Sequence, residues 1–536
     1  MRLKDTFRTN YYRFMRNRLS MAICLLLGTS AIFFSAYVAK KVKSADSDPV
    51  KIESGLISGV KSDAGDVIAF KGIPFAAPPV GDLRWKAPQP AQAWNDVKKC
   101  DALGPSPMQG KPVPFMVYTP EFLIPESPIS EDCLYLNVWT KAKKNDKKPV
   151  LVWIYGGGFR SGGAGVPIYD GEAMAKKGII FVSVNYRVGV FGFLAHPELT
   201  KESPDHASGN YGLLDQIAAL KWVKKNIAAF GGDPDNVTID GQSAGSMSVN
   251  CLVASPVAKG LFNHAISESG SYLIAHPDIN TNTLSSAEQQ GVKLQEAVNA
   301  KSLKELRNVA AADLMKVNGN YGPIIDGYVL PEAVDQLFAK GKQNDVPVIT
   351  GWNHDDALIG SFKTKEAFIQ QAKDQYGADA DTFLKYYPAS TDEEAKRSQI
   401  NLSRDRTFAM SGYQWGKIQS RQGKSPIYIY NFNRRLPATA DYVKYGAFHT
   451  GEVAYVFDDL KFLNRPWEPA DHELASMMSD YWVNFITTGD PNGGALPAWP
   501  KFNADTHEAM VFDKASGKQP LPDKAELDFM LSRLGK

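Results

Sequence analysis

Residues 230–245 read FGGDPDNVTIDGQSAG: within sixteen residues the chain writes a short β-branched strand, a Gly-Xaa-Ser-Xaa-Gly turn and the start of a helix. Val237, Thr238 and Ile239 supply the strand, because β-branched side chains favour a pleated, buried surface. Gly241 and Gly245 leave room for a backbone bend that a larger side chain would block. Ser243 falls on the tip of that bend, with its hydroxyl exposed at the C-terminal edge of a sheet. The Ala244 N–H then opens the following helix and points toward any anion formed beside the serine. A strand before the turn and a small-residue helix after it separate a candidate nucleophile from a chance match to the five-residue pattern.

Outward from this stretch, residues 150–155 and 179–185 are near-continuous apolar runs, the pattern of strands buried on both faces. Leu213, Ile217, Leu220, Val223 and Ile227 recur at helical spacing. Further strands are predicted over residues 265–267, 346–350 and 427–432. The alternation predicts an α/β chain with a large, mostly parallel central sheet and helices on both faces. Residues 280–320 and 362–414, rich in helix formers, are predicted to be helical cap insertions over the site. Gly156, Gly157 and Gly158 come straight out of the strand ending at Tyr155. A loop of that kind frees backbone N–H groups to converge, and Gly157, Gly158 and Ala244 are the predicted donors to an oxyanion.

The serine stretch, together with Glu131-Asp132-Cys133-Leu134-Tyr135-Leu136-Asn137 and Gly209-Asn210-Tyr211-Gly212-Leu213-Leu214-Asp215-Gln216, resembles the signatures of the type B carboxylesterase and lipase family. From about residue 50 onward the landmarks follow that family's order, and the chain is identified as a bacterial-type member. The resemblance implies an α/β-hydrolase fold and a serine-dependent carboxylic ester hydrolase working through an acyl-enzyme. In that fold the triad runs serine, acid, histidine. His449, in Gly446-Ala447-Phe448-His449-Thr450-Gly451-Glu452, matches the family's histidine loop and is the expected base. Asp356 is the expected acid, with Asp355 the alternative, since the family reads Asp-Glu-Gly where this chain reads Asp355-Asp356-Ala357. The family's loop disulfide ends at the position of Cys133; Cys100 lies off the usual position of its partner, and a Cys100–Cys133 bridge is an expectation on those terms. Gln242 stands where many members carry glutamate, and no tryptophan lies between Cys100 and Cys133, both of which argue against a cholinesterase.

Bulk properties narrow the partners. The chain has 536 residues, 44% of them hydrophobic, and a formal net charge of +2; it can bury a large core but projects no field that would draw nucleic acid. No zinc-type spacing or phosphate loop appears, so no metal and no organic cofactor is expected. A small-molecule ester is the expected ligand. Arg2, Lys4, Arg8, Arg13, Arg16 and Arg18 precede an uncharged apolar run over residues 19–39. Residues 1–45 therefore read as a basic segment plus a membrane anchor or signal peptide, with the remainder exported to a periplasmic or extracellular space. The run is long enough to span a bilayer, which favours an uncleaved anchor. Residues 46–536 read as a single catalytic domain. Two alternatives remain open: a non-catalytic, esterase-like adhesion or scaffold protein, and a lipase or amidase using the same site. Nothing in the sequence sets the oligomeric state or the acyl chain length.

Overall fold

Eleven strands make the central sheet of the computed structural model, which describes residues 46–274, 283–439 and 442–534. In chain order they are β1 (Val60–Lys61), β2 (Ile68–Pro74), β3 (Tyr135–Thr140), β4 (Lys148–Ile154), β5 (Ile180–Val184), β6 (Gly232–Gln242), β7 (His264–Glu268), β8 (Val348–Asn353), β9 (Ile427–Phe432), β10 (Glu508–Phe512) and β11 (Gly517–Pro520). Across the sheet the order is β11-β10-β9-β8-β7-β6-β4-β5-β3-β2-β1. Every pair from β5 through β4 and β6 to β10 is parallel, and the antiparallel pairs lie toward the two edges. This is the α/β-hydrolase layout, a large and mostly parallel mixed sheet.

The apolar runs of the sequence explain which strands sit centrally. Every residue of β5, β8 and β9 is buried, as is β6 from Val237 onward. A strand with no exposed side chain must be covered on both faces, and helices provide that cover. The main ones are α1 (Tyr211–Asn226), α2 (Ala244–Ala254), α3 (Leu284–Ala297), α4 (Lys365–Tyr376), α5 (Asp392–Arg404), α6 (Met410–Gln422) and α7 (Pro469–Thr488). α1, α2 and α7 pack on β6, and α6 packs on β8 and β9. The insertions at residues 283–320 and 362–414 carry helices, among them α3, α4 and α5. Three parallel strands, β4, β6 and β8, the last two separated by β7, each run directly into a loop that carries a candidate site residue.

The disulfide expectation is corrected. Cys100 and Cys133 are both buried and both remain free thiols. The reason lies in their different neighbourhoods. Cys100 is stitched between Ser58 and Lys71 through its backbone N–H and carbonyl, and its charged neighbours are Lys98 and Asp101. Cys133 instead leads into β3 beside the buried Arg187–Asp215 ion pair. Burial pushes the Cys100 thiol up to about 11 and Cys133 well above the ordinary range. Thiols held protonated in this way are inert packing groups. Cys251, on α2, is buried and free as well.

The basic and apolar segment of residues 1–45 lies outside the described residues. Among the described residues no helix is long and apolar enough to cross a membrane.

Candidate active site

The bend between β6 and α2 is built by removing side chains. A Cβ added to Gly245 would sit 1.9 Å from the Ile154 carbonyl oxygen, and one on Gly241 would sit 2.5 Å from the Gly245 carbonyl carbon. Only glycine lets these backbones touch. Ser243 at the tip adopts φ 59° and ψ −123°, a conformation that costs a non-glycine residue about 1–3 kcal/mol and survives only when its surroundings over-determine it. Here they do: the Ser243 N–H donates to the Glu268 carbonyl at the end of β7 at 2.8 Å, while α2 begins at the very next residue. The side chain faces a cavity of about 490 Å³.

The glycine loop after β4 forms part of the same wall. Gly156 packs so closely that a Cβ would lie 2.6 Å from the Gln242 carbonyl oxygen, and Gly157, at φ 116°, would meet Ser161 at 2.2 Å. Gly156, Gly157, Gly158 and Ser243 all line the cavity. Among the described residues, the N–H groups of Gly157 and Gly158 donate to no other residue, and that of Ala244, in the first turn of α2, has no intrahelical acceptor. Tyr155 secures the root of the loop. Its hydroxyl donates to the Tyr186 carbonyl at 2.8 Å, the Tyr186 hydroxyl returns a bond to the Tyr155 carbonyl at 2.9 Å, and the rings stack at 4.4 Å.

His449 lies on a loop held by polar side chains. Asp355 pairs with that loop as an isolated bridge to Phe448, and its carboxylate accepts from the Ala447 N–H at 2.9 Å. Arg397 completes the anchor at 2.5 Å. Burial works against the Asp355 charge, but Arg397, His354 and the Ala447 N–H outweigh it and hold the carboxyl below its ordinary value. The neighbouring Asp356 points the other way: its Oδ1 is 2.6 Å from His449 Nδ1, and its Oδ2 accepts from the Asn353 N–H at 3.0 Å. The Asn353 amide in turn donates to the Phe448 carbonyl at 2.8 Å and to Glu452. Two adjacent aspartates thus divide the work, one on the imidazole and one on the backbone beneath it.

The imidazole is also enclosed on its faces. Phe408 stacks on it with centroids 4.6 Å apart and planes 14° from parallel. Gln242 Nε2 lies 3.3 Å from both ring nitrogens, and Gln242 Oε1 accepts from the Thr450 hydroxyl at 3.3 Å. Phe408 reaches this position from a five-residue π-helix, Asp405–Ala409, joining α5 to α6; such π-turns often mark functional sites. His449 lines the cavity that holds Ser243 and the glycine loop. Among the described residues no hydrogen bond joins Ser243 Oγ to His449, a looseness common in unliganded sites that tighten around substrate.

Sequence reading did not identify the supporting residues. Glu452 is buried beneath the loop, and burial, followed by the Asp356 charge, pushes it up to about 7. Asp240 on β6 and Glu268 on β7 are buried too, and both are raised well above the usual carboxylate range, first by burial. Trp482 from α7 donates to Glu268 at 3.1 Å. Glu452 was findable from its place three residues after His449. Phe408 had no such signal, because its role depends on a local change of helical pitch. Phe159, Phe262 and Trp415 are buried in the core. Arg160 is exposed and bonds Asn320.

Residues 46–530 match the family model described as the carboxylesterase family. The chain is 36% identical over 527 residues to a fumonisin B1 esterase of Sphingopyxis macrogoltabida, covering 91% of this chain and 92% of that one. It is 35% identical to a para-nitrobenzyl esterase of Bacillus subtilis (strain 168), over 87% and 94% of the two chains. Rabbit (Oryctolagus cuniculus) liver carboxylesterase 1 is 32% identical over 88% and 90%. A match of this extent, on an α/β-hydrolase sheet, shows that the chain belongs to the carboxylesterase family and is a carboxylic ester hydrolase.

Proposed function

We propose that Ser243, His449 and Asp356 form the catalytic triad and that Gly157, Gly158 and Ala244 supply the oxyanion donors. The observation that carries this reading is the 2.6 Å contact between His449 Nδ1 and Asp356 Oδ1 in a loop whose histidine faces the same cavity as Ser243. Asp356 fixes the tautomer, leaving Nε2 as the base. Ser243 Oγ attacks the ester carbonyl as Nε2 takes its proton, and the negative charge moves to the carbonyl oxygen, where the three N–H groups receive it. Collapse breaks the ester bond; the alcohol leaves with the proton from Nε2, and the acyl group stays on Ser243. Water, deprotonated by His449, then releases the acid by the same steps in reverse order.

Fumonisin B1 and a para-nitrobenzyl ester, after which two of the relatives are named, are chemically unlike one another, so the acyl and alcohol groups are sought in the cavity rather than in those names. We also propose export through residues 1–45, on the strength of the arginine cluster before the apolar run. Ser243→Ala should abolish hydrolysis of a 4-nitrophenyl ester series while leaving the melting temperature near that of the parent. Turnover surviving in that variant would sink the mechanism. Cell fractionation with and without residues 1–45 reads the export proposal separately: a cytosolic parent protein would sink it.

A further inference from the structure

Ser243's chamber is not alone at the site. A second chamber of about 390 Å³ shares His449, Tyr118 and Leu358 with it. Its wall is largely apolar, built from Val117, Ile359, Phe362, Ile400 and Phe448 among others. Two lysines from different elements also line it, Lys396 on α5 and Lys444 in the short turn before the His449 loop. Each ammonium lies over an aromatic ring of that same wall, Lys396 at 5.5 Å from the Phe362 centroid and Lys444 at 5.1 Å from Tyr445. Such contacts hold the stems along apolar surface while the charge stays available.

The charge balance of this chamber is one-sided. Among the described residues of its wall Asp355 is the single carboxylate, and Arg397 and the Ala447 N–H already occupy both its oxygens. Among the described residues Lys396 has one acidic neighbour, Glu393, at 3.9 Å and largely exposed, an arrangement that leaves most of its charge uncompensated. An apolar chamber with two cations at its wall suits an amphiphilic anion.

Chemistry decides which half of an ester enters it. His449 must hand its proton to the leaving oxygen, so the alcohol departs along the histidine, whereas the carbonyl oxygen is drawn to the glycines of the first chamber. Resting on the triad reading above, we propose that the second chamber is the alcohol subsite and that it selects alcohols with an apolar body and a carboxylate at the far end. Lys396 and Lys444 are the residues that recognise the carboxylate.

The test uses the full chain and three esters: benzyl butyrate, the butyrate of 4-(hydroxymethyl)benzoate, and the monobenzyl ester of succinic acid, which carries its carboxylate on the acyl side. At low salt kcat/KM for the carboxylated alcohol should exceed that for the benzyl ester by about three- to tenfold, the range expected of two partly exposed ion pairs. The ratio should fall toward one in 0.5 M salt and in the Lys396→Gln/Lys444→Gln double variant. A ratio of one in the parent, a ratio unchanged in the double variant, or a preference for the succinate ester would each overturn the assignment. Binding of 4-(hydroxymethyl)benzoate against benzyl alcohol to Ser243→Ala protein, read by calorimetry, tests the chamber without turnover. Lysine-dependent binding there, with no Ser243-dependent hydrolysis of any ester by the parent, would break the triad reading and leave the subsite standing; equal affinity of the two alcohols would break the subsite alone.

Discussion

The bend at Ser243 and the loop at His449 face one cavity and are held by opposite means. The bend is fixed by what is missing: Gly156, Gly241 and Gly245 let backbone lie against backbone. The His449 loop is fixed by what is present, a chain of polar groups running from the partly exposed Arg397 to the buried Asp355, and from Asp356 through Asn353 to Glu452. Steric constraint is indifferent to pH and unforgiving of any added atom. A polar network tolerates small changes of shape but responds to every proton.

The largest expected effect follows from the first region. Gly245→Ala places a methyl 1.9 Å from a backbone carbonyl that has no room to give, so the bend must open. Loss of about 3 kcal/mol or more, together with loss of esterase activity, is expected in urea melts and initial rates. A variant with parental stability would show that the bend is looser than its packing implies.

Next come the two aspartates, which separate orientation from anchorage. Asp356→Asn should lower kcat by about 10⁴-fold, since an amide holds the wrong tautomer, with a modest change in melting temperature. Asp355→Asn should do the reverse: a lower melting temperature from the lost Arg397 pair and Ala447 contact, and a much smaller drop in kcat. Steady-state rates and thermal melts on the pair decide the matter, and equal kcat losses would contradict this division of roles.

A smaller effect concerns pH. Glu452 is raised from an ordinary 4.5 to about 7, so the folded protein holds a proton there that the unfolded chain has lost. Stability from this group is therefore complete below pH 4.5 and is lost as pH rises through about 7. Glu452→Gln should flatten that part of the stability curve, raising the melting temperature at pH 8 relative to the parent more than at pH 5. An unchanged slope would mean that the proton sits on Asp240 or Glu268, which are raised in the same direction.

The smallest effect tests the imidazole's enclosure. Phe408→Ala removes a stacked ring worth about 0.5–1.5 kcal/mol, and a several-fold fall in kcat with little change in KM is expected. A rise in KM alone would place Phe408 in substrate binding instead.

How much of this was legible beforehand follows the same division. A glycine that admits a close backbone approach leaves its mark at its own position, so FGGDPDNVTIDGQSAG and Gly156 to Gly158 could be read directly. The central strands were legible for a similar reason: residues 427–432 were placed to the residue, and residues 150–155 and 179–185 to within two at either end, because burial on both faces demands continuous apolar runs. Residues 346–350 were placed two residues early at the start and three at the end, since Trp352 and Asn353 carry no boundary signal. The Cys100–Cys133 expectation failed because pairing depends on where two distant segments pack, and these thiols have different neighbours.

Local chemistry in the sequence alone thus determined the central strands, the bend at Ser243 and the glycine loop, since each rests on residues adjacent in the chain, while the α/β-hydrolase fold was what the family resemblance implied. Tertiary structure decided which of two adjacent aspartates meets His449, which residues enclose the imidazole, and that Lys396 and Lys444 share a chamber. Those relations join residues from 41 positions apart, Phe408 and His449, to 207, Gln242 and His449, and contacts of that kind exist only after the sheet has brought its strand ends together.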